Sequence, residues 1–327
     1  MKIKKIAFLC VFLGLASALF PTGRDAAAQT YPTRPVRMVV TFSPGGGADT
    51  ISRIVAIKLG EKWGHPVVID NRPGANGVIG ADLVAKSKPD GYTLLVQNAS
   101  HAINPALYSK LPYNNDLDLI PVTVLSNYPF ILTINPSLPA KTFSEFIALA
   151  KKRPGEMSYA SPGNGSAPHL GFELLKNAAG IDLVHVPYKG AGPANVDLVS
   201  GQVQAFINNI LAARAFINSG RIRVLAVTST ERSKAMPDVP TIAESGLPGF
   251  DMTGWNGVFA PAGTPKAIVT KIQVDISSVL QLPEVKSRLL SEATEPGGDT
   301  SEEFTKLFQA ETKKWAKVMK IAGVKPL

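Results

Sequence analysis

A glycine-rich loop between a predicted strand and a predicted helix is the part of this chain best suited to bind a ligand. Residues 37–42 are apolar and β-branched, residues 43–47 are turn formers, and amphipathic helical spacing starts near Asp49. Glycine lets the backbone approach a ligand closely, and unpaired N–H groups at a helix start attract anions. Asp49 is either a first-turn residue that the helix dipole favours, or a residue that braces the glycine loop. The glycines have neither P-loop nor dinucleotide spacing, so they predict a site for a small anion.

Three further loops share this composition, and each of them follows a predicted strand. They span residues 97–105, 159–169 and 187–193, and they offer small residues, hydroxyl groups and backbone N–H groups ahead of a helix. Ser166 is placed to cap the helix that follows its loop. Four such loops indicate a binding site better than one does, because ligands of open α/β folds bind at the carboxyl ends of strands.

The same loops lack the patterns of known catalytic and metal sites. Ser166 lies in Gly-Asn-Gly-Ser-Ala rather than in the G-x-S-x-G sequence of a nucleophile elbow. The four histidines form no metal-binding pair in the sequence. We interpret His65 and His185 as structural residues, whereas the loop positions of His101 and His169 leave their roles open.

The elements that position these loops alternate between strand and helix, which predicts an α/β fold with mainly parallel sheets. Strands are predicted at residues 37–42, 67–70, 92–97, 120–125, 130–135, 158–160, 183–186, 205–208, 224–228 and 258–260. Helices are predicted from a capping box at 142–145 to about 152, at 169–179, at 195–200, at 265–280, and after a cap at Ser301. Residues 74–80 are interpreted as a turn with helix-packing glycines.

The chain length favours two lobes, and the absence of a flexible linker in the sequence implies that the chain crosses between them more than once. We place the crossings near residues 127–129 and 232–240. Residues 29–129 and 233–327 then form lobe 1, residues 130–232 form lobe 2, and the ligand cleft lies between the lobes.

Residues 1–28 have the pattern of a secretory signal peptide. Lys2, Lys4 and Lys5 precede an apolar segment at 6–20, and the alanines at 26–28 predict cleavage after Ala28. The apolar segment is shorter than the roughly 20 residues of a membrane span. We therefore expect an exported, periplasmic protein, from which cleavage removes Cys10, the only cysteine. The formal net charge of +9 is scattered along the chain, which argues against nucleic acid as a partner.

Sequence runs along nearly the whole mature chain resemble the Bug (TctC-type) family of periplasmic solute-binding proteins, many of which serve tripartite tricarboxylate transporters. The runs are residues 31–37, 42–49, 71–77, 88–94, 187–190, 201–203, 244–250 and 255–265. The resemblance implies a two-lobed periplasmic binding protein of type II, the Venus-flytrap kind. It implies binding of a small carboxylate without catalysis, cofactor or metal.

The resemblance also implies which residues form a carboxylate clamp. Lobe 2 supplies Ser161, Gly163 and Ser166 from one loop and Tyr188, Lys189 and Gly190 from another. Lobe 1 closes over the ligand with residues 42–49, among them Phe42, Pro44, Gly45, Gly46 and Asp49. Ser100 and His101 complete the rim of the cleft.

One position departs from the family pattern. After Gly201-Gln202-Val203 the family commonly has an aspartate where this chain has Asn208. If the side chain of Asn208 reaches the cleft, an ammonium group on a ligand loses its charge partner, which favours a plain organic acid over an amino acid. The alternative is that Asn208 only caps the following turn. Trp255 either lines the cleft or packs at the hinge.

We therefore expect a monomeric binding protein that closes around an organic acid and delivers it to membrane transporter subunits. Two alternatives stay open. The first is an exported α/β hydrolase with Ser166 or Ser100 as nucleophile and His101 or His169 as base. The second is a sensor whose loaded form docks on a receptor kinase.

Overall fold

The computed structural model describes residues 31–327, so the predicted signal peptide and its cleavage site lie outside the described residues. The strands are β1 (Val36–Val40), β2 (Val67–Asn71), β3 (Thr93–Asn98), β4 (Leu119–Ile134), β5 (Ser158–Ser161), β6 (Val184–Pro187), β7 (Ala205–Asn209), β8 (Arg223–Val227), β9 (Thr253–Pro261) and β10 (Glu295–Pro296). The α-helices are α1 (Gly47–Trp63), α2 (Val78–Ala85), α3 (Ser100–Leu107), α4 (Phe143–Lys152), α5 (Ala167–Ala179), α6 (Ala191–Ser200), α7 (Ile210–Asn218), α8 (Lys266–Leu280), α9 (Pro283–Ser291) and α10 (Ser301–Ile321). Within residues 31–327, no helix has the length and apolar character needed to cross a membrane.

The strands form two sheets that share the long strand β4. The first sheet has the order β2-β1-β3-β9-β4-β10, and the second has the order β8-β4-β7-β5-β6. The first part of β4, up to Pro129, pairs with β9, whereas the part from Phe130 onwards pairs with β7 and β8. One lobe is built on each sheet, so the fold is the expected two-lobed α/β architecture.

The prediction of two separate strands at 120–125 and 130–135 is wrong, because both belong to β4. The intervening residues Asn127, Tyr128 and Pro129 pair with β9, and two register shifts bend the strand earlier along its length. Pro129 supplies no N–H donor, but on either side of it Tyr128 pairs with β9 and Phe130 pairs with β7. The chain therefore passes from the first sheet to the second without leaving β-structure.

The prediction of mainly parallel sheets is also wrong. Strand β1 runs parallel to β2 and β3, and β5 runs parallel to β6 and β7. Strands β4 and β9, however, pair with all their neighbours in the antiparallel sense. The physical reason is the path of the chain. Strand β9 enters the first sheet from the side of the second lobe, so it must run away from the junction while β3 runs towards it.

The register of β4 brings the carboxyl ends of both sets of parallel strands to the same junction. In the first sheet Asn98, at the end of β3, is level with Asn256, which is level with Ser126. In the second sheet Asn209, at the end of β7, is level with Phe130. Ser126 and Phe130 are four residues apart on β4, or about 13 Å at 3.3 Å per residue. The loops that follow the parallel strands of the two lobes therefore face one another across residues 126–130.

The position of the second crossing was predicted at 232–240, but hydrogen bonds favour a later one. The N–H of Ile242 donates to the carbonyl of Val227 in β8, and the N–H of Met252 donates to Thr228. Residues up to 252 thus stay beside the second sheet. We therefore propose that the second crossing lies at the start of β9 rather than at residue 233.

One continuous core joins the two lobes on the side of α10. Buried side chains that belong to it include Leu95 of the first sheet, Phe308 of α10, and Leu132 and Tyr159 of the second sheet. Phe304, Phe308, Trp315 and Met319 of α10 are buried, as their spacing predicts, whereas Leu307 is partly buried. Helix α10 therefore braces both lobes opposite their loops.

Several helix ends follow the sequence signals, but the starts of α6 and α10 do not. The helix predicted at 195–200 begins earlier, at Ala191, directly after Gly190. The capping box of Thr142 and Glu145 opens α4, and Gly180 closes α5 in the left-handed conformation, both as predicted. The last helix, however, is capped by Thr300 rather than Ser301, because the Thr300 hydroxyl accepts the Glu303 N–H and the Glu303 carboxylate accepts the Thr300 N–H.

Candidate functional site

The glycine loop at residues 42–47 joins β1 to α1 at the junction between the lobes. Gly45 has φ +81°, a left-handed conformation that favours glycine, and residues 43–47 are exposed. Helix α1 starts after Gly46 without a side-chain cap. A 17-residue helix whose first N–H groups have no side-chain acceptor offers them, and the positive end of its dipole, to an anion.

Asp49 braces this loop and is not available to a ligand. Its carboxylate accepts the Gly45 N–H at 2.9 Å, the side chain of Arg53 at 2.9 and 3.0 Å, and the Asn71 amide at 2.9 Å. Asn71 also donates to the carbonyl of Phe42 at 2.9 Å. Burial on its own raises the pKa of Asp49, but the bonds from Arg53, Gly45 and Asn71 outweigh it and the pKa is lowered. The negative charge beside the proposed anion site is therefore neutralised by Arg53.

The loop at 97–101 is fixed to the glycine loop by a buried amide. Gln97 accepts the hydroxyl proton of Thr41 at 2.7 Å and the N–H of Asn98 at 3.0 Å. Asn98 in turn accepts the N–H of Ser100, the first residue of α3, at 2.9 Å. The hydroxyl-bearing Ser100 thus lies at a helix start on the same edge of the first sheet as the glycine loop.

The expectation that His101 forms part of the rim is wrong. Its ring has no exposed surface, stacks on Phe308 at 5.2 Å, and meets the edge of Phe259 at 4.8 Å. Neither ring nitrogen has a hydrogen-bond partner among the described residues. Burial lowers the pKa of His101 to about 3, so the ring is neutral near pH 7. His101 points into the core because consecutive side chains on a helix project about 100° apart, so His101 and Ser100 have different surroundings.

In the second lobe, residues 161–166 form a tightly hydrogen-bonded loop after β5. The Ser161 hydroxyl accepts the N–H of Gly163 at 3.2 Å and lies 2.6 Å from Nε2 of His185. The Ser166 hydroxyl donates to the carbonyl of Gly163 at 2.7 Å and caps α5 by accepting the N–H of His169. Ser161 is fully buried, so its hydroxyl shapes the loop.

The loop at 187–190 is attached to the first one through its backbone. The N–H of Tyr188 donates to Ser161 at 2.9 Å, and the N–H of Gly190 donates to Pro162 at 3.1 Å. The hydroxyl of Tyr188 donates to Asp197 at 2.6 Å, and burial together with Asp197 raises the pKa of Tyr188 to about 12. The ring of Tyr188 is thus tied to α6 and the two loops form one unit.

Helix α6 gives the second lobe its own uncapped helix start. Gly190 precedes it with φ +107° and without a side-chain hydrogen bond to the helix. Lys189, next to it, is exposed and forms no ion pair with the described residues. The cation and the free helix start together favour a carboxylate at this edge.

Asn208 is buried at the end of β7 and does not cap the following turn. Its amide donates to the side chain of Asn195 at 2.5 Å, and its own side-chain oxygen has no partner among the described residues. The neighbouring Asn209 is the cap, because its side chain accepts the N–H of Leu211 at 2.9 Å. The unpartnered oxygen of Asn208 is an acceptor next to the second turn of α6.

Sequence reasoning missed the amide network around Asn76. Asn76 has φ 55°, its side chain donates to Asn104 at 2.9 Å, and its carbonyl accepts from Asn104 and Gln97. A side chain at Gly77 would overlap the amide of Gln97. The signal was the Gly-Ala-Asn-Gly sequence, which predicts left-handed backbone but does not identify its distant partners. The helix-packing role predicted for this segment is confirmed by Gly80, which lies against Thr41.

The structure separates the serine and histidine pairs that a hydrolase would need. The Ser166 hydroxyl donates to a backbone carbonyl, while Nδ1 of His169 accepts the N–H of Gly165 at 3.0 Å. Ser161 does contact His185, but Ser161 is fully buried and the pKa of His185 is lowered by burial to about 3, too low for an effective base near neutral pH. Residues 31–327 contain no cluster of His, Cys, Asp or Glu that could hold a metal ion.

Two open surface grooves contain none of the proposed site residues. One, of about 330 Å³, lies between α4, the end of α5 and residues 245–247. The other, of about 440 Å³, lies between α1, α8 and the start of α9. Trp255, which was placed either in the cleft or at the hinge, is buried against Phe304 and Phe308 in the core that joins the lobes.

Comparison with known proteins gives consistent matches along the chain. Residues 51–324 match the family described as tripartite tricarboxylate transporter family receptor. Protein BugT of Bordetella pertussis is 38% identical over 98% of this chain and 98% of its own length. The structure of R. palustris Rpa4515 with adipate has a TM-score of 0.81 and 38% identity, and the match covers 91% of this chain and 100% of that one. MatC of Rhodopseudomonas palustris with bound malate has a TM-score of 0.75 and 34% identity, over 88% and 99% of the two chains.

Proposed function

We propose that this protein captures a small organic acid by lobe closure, because the chain belongs to the tripartite tricarboxylate transporter receptor family. This is the Bug (TctC-type) family that its sequence resembles. The family consists of periplasmic solute-binding receptors, so the protein is a receptor and not an enzyme. We further propose that it works in the periplasm as a monomer and delivers the acid to a membrane transporter.

The observation that carries the proposal is a pair of open helix starts, one in each lobe. Helix α1 in the first lobe and α6 in the second both begin without a side-chain cap. Strand β1, before α1, runs parallel to β3, and β6, before α6, runs parallel to β5, so both helix starts follow the strand ends that are directed towards the junction at residues 126–130. An anion held between two positive helix ends stabilises the closed arrangement, because it contacts both lobes only when they approach.

The proposed ligand site keeps the residues expected from the sequence, apart from His101. Asp49 and Ser161 contribute by shaping their loops, and Ser100 and Asn208 are buried. We propose that the more exposed residues line the two edges: Phe42, Pro44, Gly45, Gly46, Gly163, Ser166, Tyr188, Lys189 and Gly190. The similar proteins with adipate and malate support a carboxylate as the ligand class.

A thermal-shift screen tests this proposal. The panel contains adipate, malate, succinate, glutarate, aspartate, glutamate and a neutral sugar. A ligand at about 100 times its Kd should stabilise the protein by roughly 2.7 kcal/mol, which raises Tm by several degrees. Shifts confined to carboxylates support the proposal. Shifts produced only by the sugar contradict it.

The same panel tests the specificity proposed for Asn208. Because an amide has no negative charge for an ammonium group, succinate and glutarate should bind more tightly than aspartate and glutamate. A clear preference for the two amino acids would overturn this part. The variant Asn208→Asp is the matched comparison, since it should move the preference towards the amino acids.

The partner is tested separately, because a transporter and a receptor kinase would both receive the closed, loaded form. Deleting the gene should abolish uptake of the radiolabelled acid identified in the screen if the partner is a transporter. Unchanged uptake would contradict that proposal. Light scattering during gel filtration measures the molar mass of the protein in solution and so tests the proposed monomer.

A further inference from the structure

Two histidines that the proposed ligand site does not use form a stack directly behind the 161–166 loop. The rings of His169, on α5, and His185, on β6, are 3.9 Å apart and 14° from parallel. Tyr159 and Phe172 extend the stack, with ring centroids 4.0 Å apart. Each imidazole reaches the loop through one ring nitrogen, which is a more specific contact than core packing requires.

His169 fixes the second half of the loop. Its Nδ1 accepts the N–H of Gly165 at 3.0 Å, so that nitrogen carries no proton and the neutral ring is protonated on Nε2. Gly165 has φ +71°, and a side chain there would lie 2.3 Å from Leu107 of α3 in the first lobe. His169 therefore holds a loop residue that lies close to a side chain of the first lobe.

His185 fixes the first half of the loop. Its Nε2 lies 2.6 Å from the hydroxyl of Ser161, which accepts the N–H of Gly163. The Ser161 hydroxyl lies 3.1 Å from the carbonyl of Gly163 and 2.6 Å from Nε2 of His185, so the contact with His185 is the shorter of the two. Gly163 has φ +145°, a conformation that favours glycine and needs support from its neighbours.

We propose that His169 and His185 are positioning residues that together hold residues 161–166 in their ligand-binding shape. The proposal rests on the proposed function, in which this loop binds a carboxylate. Both histidines act through the backbone of the loop, and neither one contacts the ligand itself. The pair orients the N–H groups and the Ser166 hydroxyl of the loop before the ligand arrives, which lowers the entropic cost of binding.

The arrangement requires both rings to be uncharged. A proton on Nδ1 of His169 would face the N–H of Gly165, and two stacked cations would repel each other. Burial lowers the pKa of both rings, and Lys176 acts in the same direction, while Glu173 opposes it at His169. Glu173 is itself occupied, because it accepts from Tyr159 and from Lys176.

Matched substitutions test the proposal with adipate as the probe, or with malate if adipate does not bind. His169→Asn keeps an acceptor where Nδ1 lies, and His185→Gln keeps a polar atom near Nε2, whereas His169→Leu and His185→Leu remove them. We expect the two Leu variants to raise Kd at least tenfold in calorimetry at pH 7.5. We expect the Asn and Gln variants to stay within threefold of the parent protein, and so should the control His65→Gln.

NMR provides a readout that is independent of the ligand. The Nδ1 nitrogen of His169 should show the chemical shift of an unprotonated nitrogen at pH 7.5, and the amide signals of residues 163–166 should move in His169→Leu but not in His169→Asn. Leu variants that bind within threefold of the parent, or a protonated Nδ1, would overturn the inference. A parent protein that binds no acid contradicts the proposed function instead, and the NMR result then decides this inference alone.

Discussion

At the scale of single residues, the charges next to the proposed site are already paired within the protein. Asp49 is buried and bonded to Arg53, Gly45 and Asn71, so it contributes shape rather than charge. The positive character of the first lobe's edge then comes from backbone N–H groups at the start of α1. In the proposed site, backbone N–H groups rather than an arginine side chain would contact the carboxylate.

Asp49→Asn tests the bracing role. The substitution removes the charge that holds Arg53 and weakens the bond to the N–H of Gly45, and a lost bond to a charged group costs about 1.5–3 kcal/mol of the free energy of unfolding. We expect a lower Tm and weaker binding of adipate, measured by thermal unfolding and calorimetry. Asp238→Asn is the control, because Asp238 is exposed and no bond of its side chain to the described residues is seen.

The pKa of the buried His101 predicts how the stability of the protein depends on pH. The pKa of His101 is about 3 in the folded protein and about 6.5 in an unfolded chain. Between these values the unfolded chain takes up a proton that the folded protein does not, so the free energy of unfolding falls as pH drops below about 6.5. His101→Leu should therefore raise Tm more at pH 5 than at pH 8. An equal change at both pH values would contradict the assignment.

At the scale of elements, helix starts differ in whether a side chain caps them. Helices α4, α5, α7 and α10 carry an N-cap side chain, whereas α1, α2, α3, α6, α8 and α9 carry none. An uncapped start is therefore common in this chain, and the proposed role of α1 and α6 depends on their position at the junction. A side-chain cap would occupy N–H groups that an anion can otherwise contact there.

Thr300→Ala tests the corrected start of α10. Loss of the hydroxyl that accepts the Glu303 N–H should lower the free energy of unfolding by about 1 kcal/mol. Thr300→Ser keeps the hydroxyl and should cost no more than a few tenths of a kcal/mol. Urea unfolding measures both values, and equal losses in the two variants would show that the hydroxyl is not the cap.

At the scale of the whole molecule, the two lobes meet in the core on the side of α10, whose aromatic residues pack against both sheets. Leu107 of the first lobe belongs to this core, and the loop at Gly165 of the second lobe meets it without a side chain between them. The close contact between the lobes at this point therefore depends on the absence of a side chain at Gly165.

Gly165→Ala should obstruct that approach. The added carbon would lie 2.3 Å from Leu107, and the backbone at φ +71° disfavours alanine. Gly155→Ala is the matched control, because Gly155 has the same φ of +71° but its nearest neighbour would be 3.5 Å away. We expect weaker adipate binding and a smaller ligand-induced compaction in X-ray scattering for Gly165→Ala alone. Partial recovery in the double variant with Leu107→Ala would identify the steric cause.

The sequence by itself determined the local structure and the family. Apolar segments of the sequence located nine of the ten strands in residues 31–327, and Thr142 and Gly180 marked helix ends. Segments such as 42–49 and 187–190 identified the family of solute-binding receptors. These signals are local, because turn residues, caps and hydrophobic periodicity act within a few residues of chain. The loops after β1, β5 and β6 could be selected for the same reason.

Only the tertiary structure decided which of those residues face the junction. His101 and Ser100 are neighbours in sequence, yet the packing of α3 buries the imidazole against Phe308. The continuity of β4, the reversed direction of β9, and the contacts of Asn208 with Asn195 and of His185 with Ser161 all join residues that are distant in sequence or depend on strand register. Burial and register are properties of the assembled chain, so no local pattern could have fixed them.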